Sequence, residues 1–241
     1  MPNVQVAYPA MPKLLDVVNR VLRESGAYTV NTLNPGNVQS QVALDAVNDG
    51  IWQIFNRAHW NFAIETISIP LVNNQTDYPV PADFDRLAMA PTYNGLALRE
   101  YTLDEWTTAV VPYRDSLQSV PGSPSVFTLS PSVLMVFPAP ATATIATVPN
   151  LFFSYYRNPG TRFDNTNDNV APNLPVEFVD CLVTFGKWRL KSFLEYPDSS
   201  NEAQRFEQLL ATQMNRNRRS RKPNQMRQMF GPTMITTGIY T

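Results

Sequence analysis

The sequence is poor in the residues that form covalent cross-links and common catalytic sites. Its 241 residues include one cysteine, Cys181, and one histidine, His59. A single cysteine excludes a framework of intrachain disulfides. With only one cysteine and one histidine, the chain also lacks the usual ligands for a zinc site of its own. A Ser-His-Asp triad would have to use His59, and there is no Gly-x-Ser-x-Gly motif. We therefore expect no catalytic residues, cofactor or metal, with His59 and Cys181 in structural roles.

Charged residues and long apolar runs are also scarce. Asp, Glu, Lys and Arg make up 16% of the chain, against about a quarter in typical soluble domains. Such a low-charge surface is typical of a protein whose faces are covered by neighbouring subunits. No stretch approaches the roughly 18 apolar residues of a membrane span, and residues 1–10 do not resemble a signal peptide. These patterns predict synthesis in a cytoplasm and no membrane partner.

The net charge of −1 hides a basic C-terminal segment. No acidic residue follows Glu207 but six basic ones do, which leaves 13 of the 19 basic residues against all 20 acidic residues elsewhere. The segment is expected to meet an acidic surface of a neighbour or another protein, or a nucleic acid. Its apolar residues favour a protein interface over a purely solvated tail, which would have no use for them. The predicted interaction residues are Arg216, Arg218, Arg219, Arg221, Lys222, Arg227, Met229, Phe230, Ile235, Ile239 and Tyr240.

The spacing of apolar residues predicts four helices in two separated pairs. The first pair spans about 11–26 and 38–58, and the second about 175–194 and 199–215. Ser199 and Glu202 have the spacing of a capping box at the start of the last helix. Because each helix has one apolar stripe to bury, we expect the two pairs to close on one another as a bundle.

Between the helix pairs the period of the apolar residues changes from about 3.6 to 2. Several short strands are predicted, and Asn94-Gly95 is a strong hairpin signal. The predicted fold is therefore α+β, with a bundle of about four helices at 1–62 and 170–215. A small antiparallel β-sandwich or barrel-like domain at 63–169 interrupts it, and residues 216–241 are predicted to form a basic, extended C-terminal arm.

Two further groups of residues could bind a ligand. Residues 164–169 are rich in Asp and Asn oxygens that suit Ca²⁺, but they lack the terminal acid of an EF-hand loop. A surface loop is the favoured interpretation. Aromatic residues such as Trp52, Trp60, Phe153 and Tyr155 could stack on a sugar or a base, but their spacing favours the core or a subunit interface.

Four landmarks follow one another in an order that resembles a known family. They are the helix end Ala58-His59-Trp60-Asn61-Phe62, the Tyr-Pro-Val-Pro passage at 77–84, the strand at 133–140 that closes on Pro-Ala-Pro, and the segments 151–159 and 174–178. This set resembles the podophage head-to-tail adaptors, also called tail tubular protein A-like or gatekeeper adaptors. The resemblance covers about residues 12–210.

The resemblance implies a structural virion protein in the portal-proximal tail, assembled in the host cytoplasm. Members of the family form a homo-oligomeric ring, usually of twelve subunits, that joins the portal protein to the tail nozzle or tube. Genomic DNA passes through the lumen, and C-terminal segments reach along the portal or a neighbour. The alternatives are another tail or head-completion component, a nucleic-acid-binding protein that acts through the basic segment, and a cell-wall hydrolase.

Overall fold

The computed structural model describes residues 10–115 and 120–229, the last ten by their backbone alone. The chain divides into two compact units, with boundaries after Phe62 and after Gly160. We refer to the parts before and after these boundaries together as the helical unit, and to the part between them as the β unit. The α+β class predicted from the sequence is confirmed.

The helices and strands lie close to their predicted positions. The helices are α1 (Leu14–Glu24), α2 (Val38–Arg57), α3 (Leu103–Glu105), α4 (Val111–Arg114), α5 (Thr142–Thr147), α6 (Val179–Phe193) and α7 (Ser199–Met229). The strands are β1 (Ile64–Pro70), β2 (Asp77–Pro79), β3 (Phe84–Tyr93), β4 (Leu96–Ala97), β5 (Arg99–Glu100), β6 (Val126–Ser130), β7 (Val133–Phe137) and β8 (Asn150–Arg157). Local signals fix several boundaries. The Asn37 side chain accepts from the Ser40 amide at the start of α2, and Gly26, at φ +80°, follows the end of α1.

In the helical unit α6 is the central helix, which packs against α1, α2 and α7. Its buried side chains occupy most of its circumference, since helices surround it. Gly186 brings α6 close to α1, because a Cβ atom there would lie 2.6 Å from Cγ2 of Val21. The two helix pairs predicted from separate parts of the sequence therefore share one core.

Replacing Gly186 with alanine is expected to lower the free energy of unfolding by about 1 to 3 kcal/mol. The new methyl group has no room beside Val21, whose β-branched side chain is fully buried and has few alternative rotamers. Thermal unfolding of the variant measures this cost. In the double variant Gly186→Ala with Val21→Ala, the loss of stability should be smaller than the sum of the losses from the two single variants. If the two losses simply add, the contact between these residues would be contradicted.

The β unit is a sandwich of two four-stranded sheets. One sheet has the order β1-β8-β3-β4 and the other β2-β7-β6-β5. Side chains from both sheets form one core, which includes Phe153 and Tyr155 of the first sheet and Phe127 and Leu134 of the second. The pairing of β5 with β6 is parallel, so the second sheet is mixed rather than wholly antiparallel.

Residues 161–169 lie with the helical unit, although the sequence pattern placed them in the β domain. The Asn48 side chain of α2 donates to the carbonyl of Phe163 and accepts from its amide, both at 2.9 Å. The Asp168 carboxylate accepts from the Leu33 amide at 3.1 Å. A polar loop has no apolar period, so its sequence does not indicate which unit its hydrogen bonds join.

Helix α7 continues to Met229, whereas the sequence pattern ended the regular helix near residue 215 and predicted an extended arm from 216. Arg, Gln and Met are good helix formers, so the backbone continues after the last buried side chains, Phe206 and Leu210. An apolar period marks only a helix that is packed on one side, which is why the pattern stopped early. Residues 230–241 of the predicted arm lie outside the described residues.

Candidate functional site

The predicted interaction segment begins on the exposed surface of α7. Arg216, Arg218 and Arg219 are exposed. Among the side chains that the structure describes, none forms an ion pair with these three arginines. Arg221, Lys222, Arg227 and Met229 are described by their helical backbone only, while Phe230, Ile235, Ile239 and Tyr240 lie outside the described residues.

The neighbouring Asn217 fixes this part of α7 against the rest of the helical unit. Its side-chain oxygen accepts from the Asn61 amide at 2.9 Å, and its side-chain nitrogen donates to the His59 carbonyl at 2.8 Å. One turn earlier, Gln213 donates to the Glu177 carbonyl at 3.0 Å. These contacts were missed in the sequence, because an Asn within a basic segment has no pattern that distinguishes it from a solvated residue.

An aromatic cluster lies under this contact. Trp60 is 1% exposed, and its indole nitrogen donates to the Ile54 carbonyl at 2.6 Å. Its ring is 5.0 Å from Phe178 and 5.8 Å from Phe62, centroid to centroid. A shallow groove of about 370 Å³ borders the cluster, and Arg216 is among its lining residues. The position of Trp60 agrees with the core interpretation of its aromatic segment.

A second and larger groove, of about 610 Å³, lies over α2, α6 and α7. Its apolar lining includes Trp52 and Trp188, and Trp52 is 36% exposed. Three ion pairs occur among the lining residues. Arg57 pairs with Glu207 at 2.6 Å, and Asp49 pairs with Arg162 and, at 3.9 Å, with Arg189. The groove combines one exposed and one half-buried indole ring with paired charges, a composition that is common at protein interfaces.

A nearly buried ionic cluster joins α6 to α7. The Glu202 carboxylate lies 3.0 Å from the Lys187 ammonium and 3.1 Å from that of Lys191, and the two lysine side chains are 10% and 12% exposed. Lys191 also pairs with Asp198 at 2.6 Å. Glu202 therefore holds two ammonium groups rather than acting as the capping-box partner of Ser199.

The remaining candidates have structural surroundings. Burial raises the pKa of the Cys181 thiol to about 11, and the charge of Asp180 adds to this rise. A thiol with a raised pKa is a poor nucleophile at neutral pH. In the loop at 164–169, the Asp164 carboxylate accepts from the amide and hydroxyl of Thr166. Within the described ranges no cluster of three His, Cys, Asp or Glu side chains could hold a metal ion.

Comparison with known proteins assigns the family. No helix in the described part of the chain combines the length and apolar character needed to cross a membrane. No curated protein matches the sequence. The model of a family described as SU10 adaptor protein matches residues 12–229, which is most of the chain. The chain therefore belongs to the SU10 adaptor proteins, a family of phage head-to-tail adaptors.

Proposed function

We propose that this protein forms a ring that joins the portal to the tail nozzle or tube and surrounds the DNA channel. Membership of the family makes it a component of the phage particle that binds other head and tail proteins. The ring, its twelve subunits and its portal-proximal position are what the family resemblance implies. Its role is mechanical rather than catalytic, and it keeps the channel continuous between two larger assemblies.

The observation that supports this proposal best is the surface of α7 around Asn217. Three exposed arginines project there from a helix whose backbone is anchored to the bundle by the hydrogen bonds of Asn217. A guanidinium group pairs with a carboxylate through two parallel hydrogen bonds, so exposed arginines on an anchored helix suit an acidic protein surface. The portal or an adjacent subunit supplies that surface. The raised pKa of the buried Cys181 thiol does not support a nucleophilic cysteine.

Replacing Arg216, Arg218 and Arg219 together with alanine is expected to weaken assembly with the cognate portal by about 10- to 100-fold. Three partly solvated ion pairs of about 0.5 to 1 kcal/mol each account for this range. Mass photometry of the variant mixed with portal measures the loss. A truncation at residue 215 is a less specific test of the arginines, because it also removes the hydrogen bonds of Asn217.

Arg205→Ala is the matched control. It removes an exposed arginine from the same helix but outside the basic segment. This control should assemble like the unmodified protein. Unchanged assembly of the triple variant would contradict the proposed contact. If the unmodified chain ignores the portal but binds DNA, and the triple variant loses that binding at moderate salt, the nucleic-acid alternative would replace the adaptor role.

A further inference from the structure

Strand β1 is a long and open edge of the β unit. It pairs with β8 along its whole length, from Ile64 opposite Tyr156 to Pro70 opposite Asn150. On its other side it has no strand partner among the described residues. The remaining edge strands, β2, β4 and β5, have only two or three residues each. An unpaired edge of this length is a template for another strand.

The register determines which backbone groups of β1 face outward. The Leu71 amide donates to the Pro149 carbonyl at 2.8 Å, which continues the same register by one pair. Hydrogen-bonded pairs alternate along an antiparallel ladder, so the odd-numbered residues of β1 bond to β8. Ile64, Thr66 and Ser68 therefore direct their N–H and C=O groups away from β8, toward the open edge.

The side chains along this edge do not block an incoming strand. Thr66 and Ser68 are small, and the Thr66 hydroxyl is hydrogen-bonded across to Ser154 at 2.8 Å. Beside them Ile64 is 36% exposed and Phe152 is 49% exposed. Natural edges are commonly protected by charged side chains, lysine above all, or by a central proline. The one charged residue of β1, Glu65, is paired with Arg157 of β8 at 3.4 Å, and its one proline lies at the last position, Pro70.

The end of the chain has the composition of a strand that fits this edge. From 233 to 241 the sequence reads Thr-Met-Ile-Thr-Thr-Gly-Ile-Tyr-Thr, without charge or proline. Every odd-numbered residue is β-branched, and such residues favour strands. These nine residues are enough to pair with the seven of β1. The preceding segment is basic, while acidic residues outnumber basic ones by eight to four between residues 63 and 160.

Helix α7 ends far from its last described contact with the helical unit. The helix continues for twelve residues after Asn217, the last described contact, to Met229. At 1.5 Å per residue this is about 18 Å. Because α7 ends so far from this anchor, a second copy is the favoured partner for the residues that follow it in the sequence.

We propose that residues 233–241 of one subunit add as a strand to the open edge of β1 in the next subunit. The inference rests on the proposed ring. Each subunit would give one strand and receive one. Such a head-to-tail contact, repeated by rotation about one axis, generates a closed ring. Main-chain hydrogen bonds to Ile64, Thr66 and Ser68 would supply affinity, and the alternating side chains would supply register.

Cysteine cross-linking in the assembled portal complex tests the pairing. Ser68→Cys is combined, in separate full-length variants, with cysteine at Thr233, Thr236, Thr237 or Thr241, and the complex is oxidised. For some of the four C-terminal positions, the expected result is a series of disulfide-linked dimers, trimers and larger oligomers on a denaturing, non-reducing gel. The chain with only its buried Cys181 should give none. A link within one chain would overturn the exchange between subunits. Complete rings without any link would overturn the pairing and leave the ring intact.

A proline at the edge provides an independent test. Ser68→Pro removes an outward N–H without breaking the ladder to β8, whereas Ser68→Ala keeps that N–H. The proline variant should need an about tenfold higher concentration for half-maximal assembly, and the alanine variant should not. Equal thermal unfolding of the two variants shows that the β unit is folded. Equal assembly would overturn the strand addition, while no assembly of the unmodified chain would overturn the ring itself.

Discussion

Replacing Glu202 with glutamine is expected to lower the free energy of unfolding by about 3 to 5 kcal/mol. The substitution keeps the size of the side chain but removes the negative charge between Lys187 and Lys191. Two ammonium groups would then be nearly buried without their shared carboxylate, although Glu24 and Asp198 remain on their outer sides. Chemical denaturation followed by far-UV circular dichroism measures the change.

Glu207→Gln is the matched control for this prediction. It removes an exposed carboxylate from the same helix, in a pair with Arg57 that is about half exposed on both sides. Exposed ion pairs contribute about 0 to 1 kcal/mol, so the control should lose little stability. A similar loss from both substitutions would show that burial of the lysines is not the cause.

The effect of Glu202→Gln should also depend on pH. Burial by itself would raise the pKa of the Glu202 carboxyl, but hydrogen bonds from Lys187 and Lys191 outweigh it and lower the pKa below its ordinary value of 4.5. A carboxyl with a lowered folded-state pKa stabilises fully above its unfolded value and loses this contribution as the pH falls through the lowered one. The difference between the two proteins should therefore be constant above pH 4.5 and shrink below it. Glu24 and Asp198 titrate in both proteins.

Replacing Trp60 with alanine is expected to lower the free energy of unfolding by about 3 to 5 kcal/mol. The indole is almost fully buried among aromatic rings, and its removal leaves a cavity next to Phe178. The Ile54 carbonyl also loses the donor that now lies at 2.6 Å. Because Asn217 is bonded to the same turn, the hydrogen exchange of its neighbouring amides should increase as well.

Trp52→Ala, in the preceding helix α2, provides the comparison. Trp52 is 36% exposed and lines the groove over α2, α6 and α7, so its loss should cost much less than that of Trp60. Thermal unfolding of the two variants side by side tests the difference. Equal destabilisation would contradict the assignment of Trp60 to the core and of Trp52 to the surface.

The sequence determined the kind and order of the secondary-structure elements. The apolar spacing of Val47, Ile51 and Ile54 predicted a packed helix, and the change to a period of 2 after Ala63 predicted strands. The reason is that side chains on one face recur with the period of the backbone, 3.6 residues in a helix and 2 in a strand. The turn at Asn94-Gly95 was predicted for a similar local reason. Its two residues have φ values of 50° and 75°, which these residue types tolerate.

The tertiary structure alone decided which distant residues meet. Polar contacts place the loop at 161–169 on the helical unit and bond Asn217 to the residues that follow α2. These contacts join segments more than a hundred residues apart. The two lysines around Glu202 join adjacent helices in the same way. Hydrogen bonds and ion pairs are specific to position and leave no period in the sequence. The free energy of burying apolar surface is proportional to the area buried. Apolar residues therefore repeat along the buried face of a helix or strand, and this repeat is visible in the local sequence. The same difference explains why the open edge of β1 emerged only when the strands were paired into sheets.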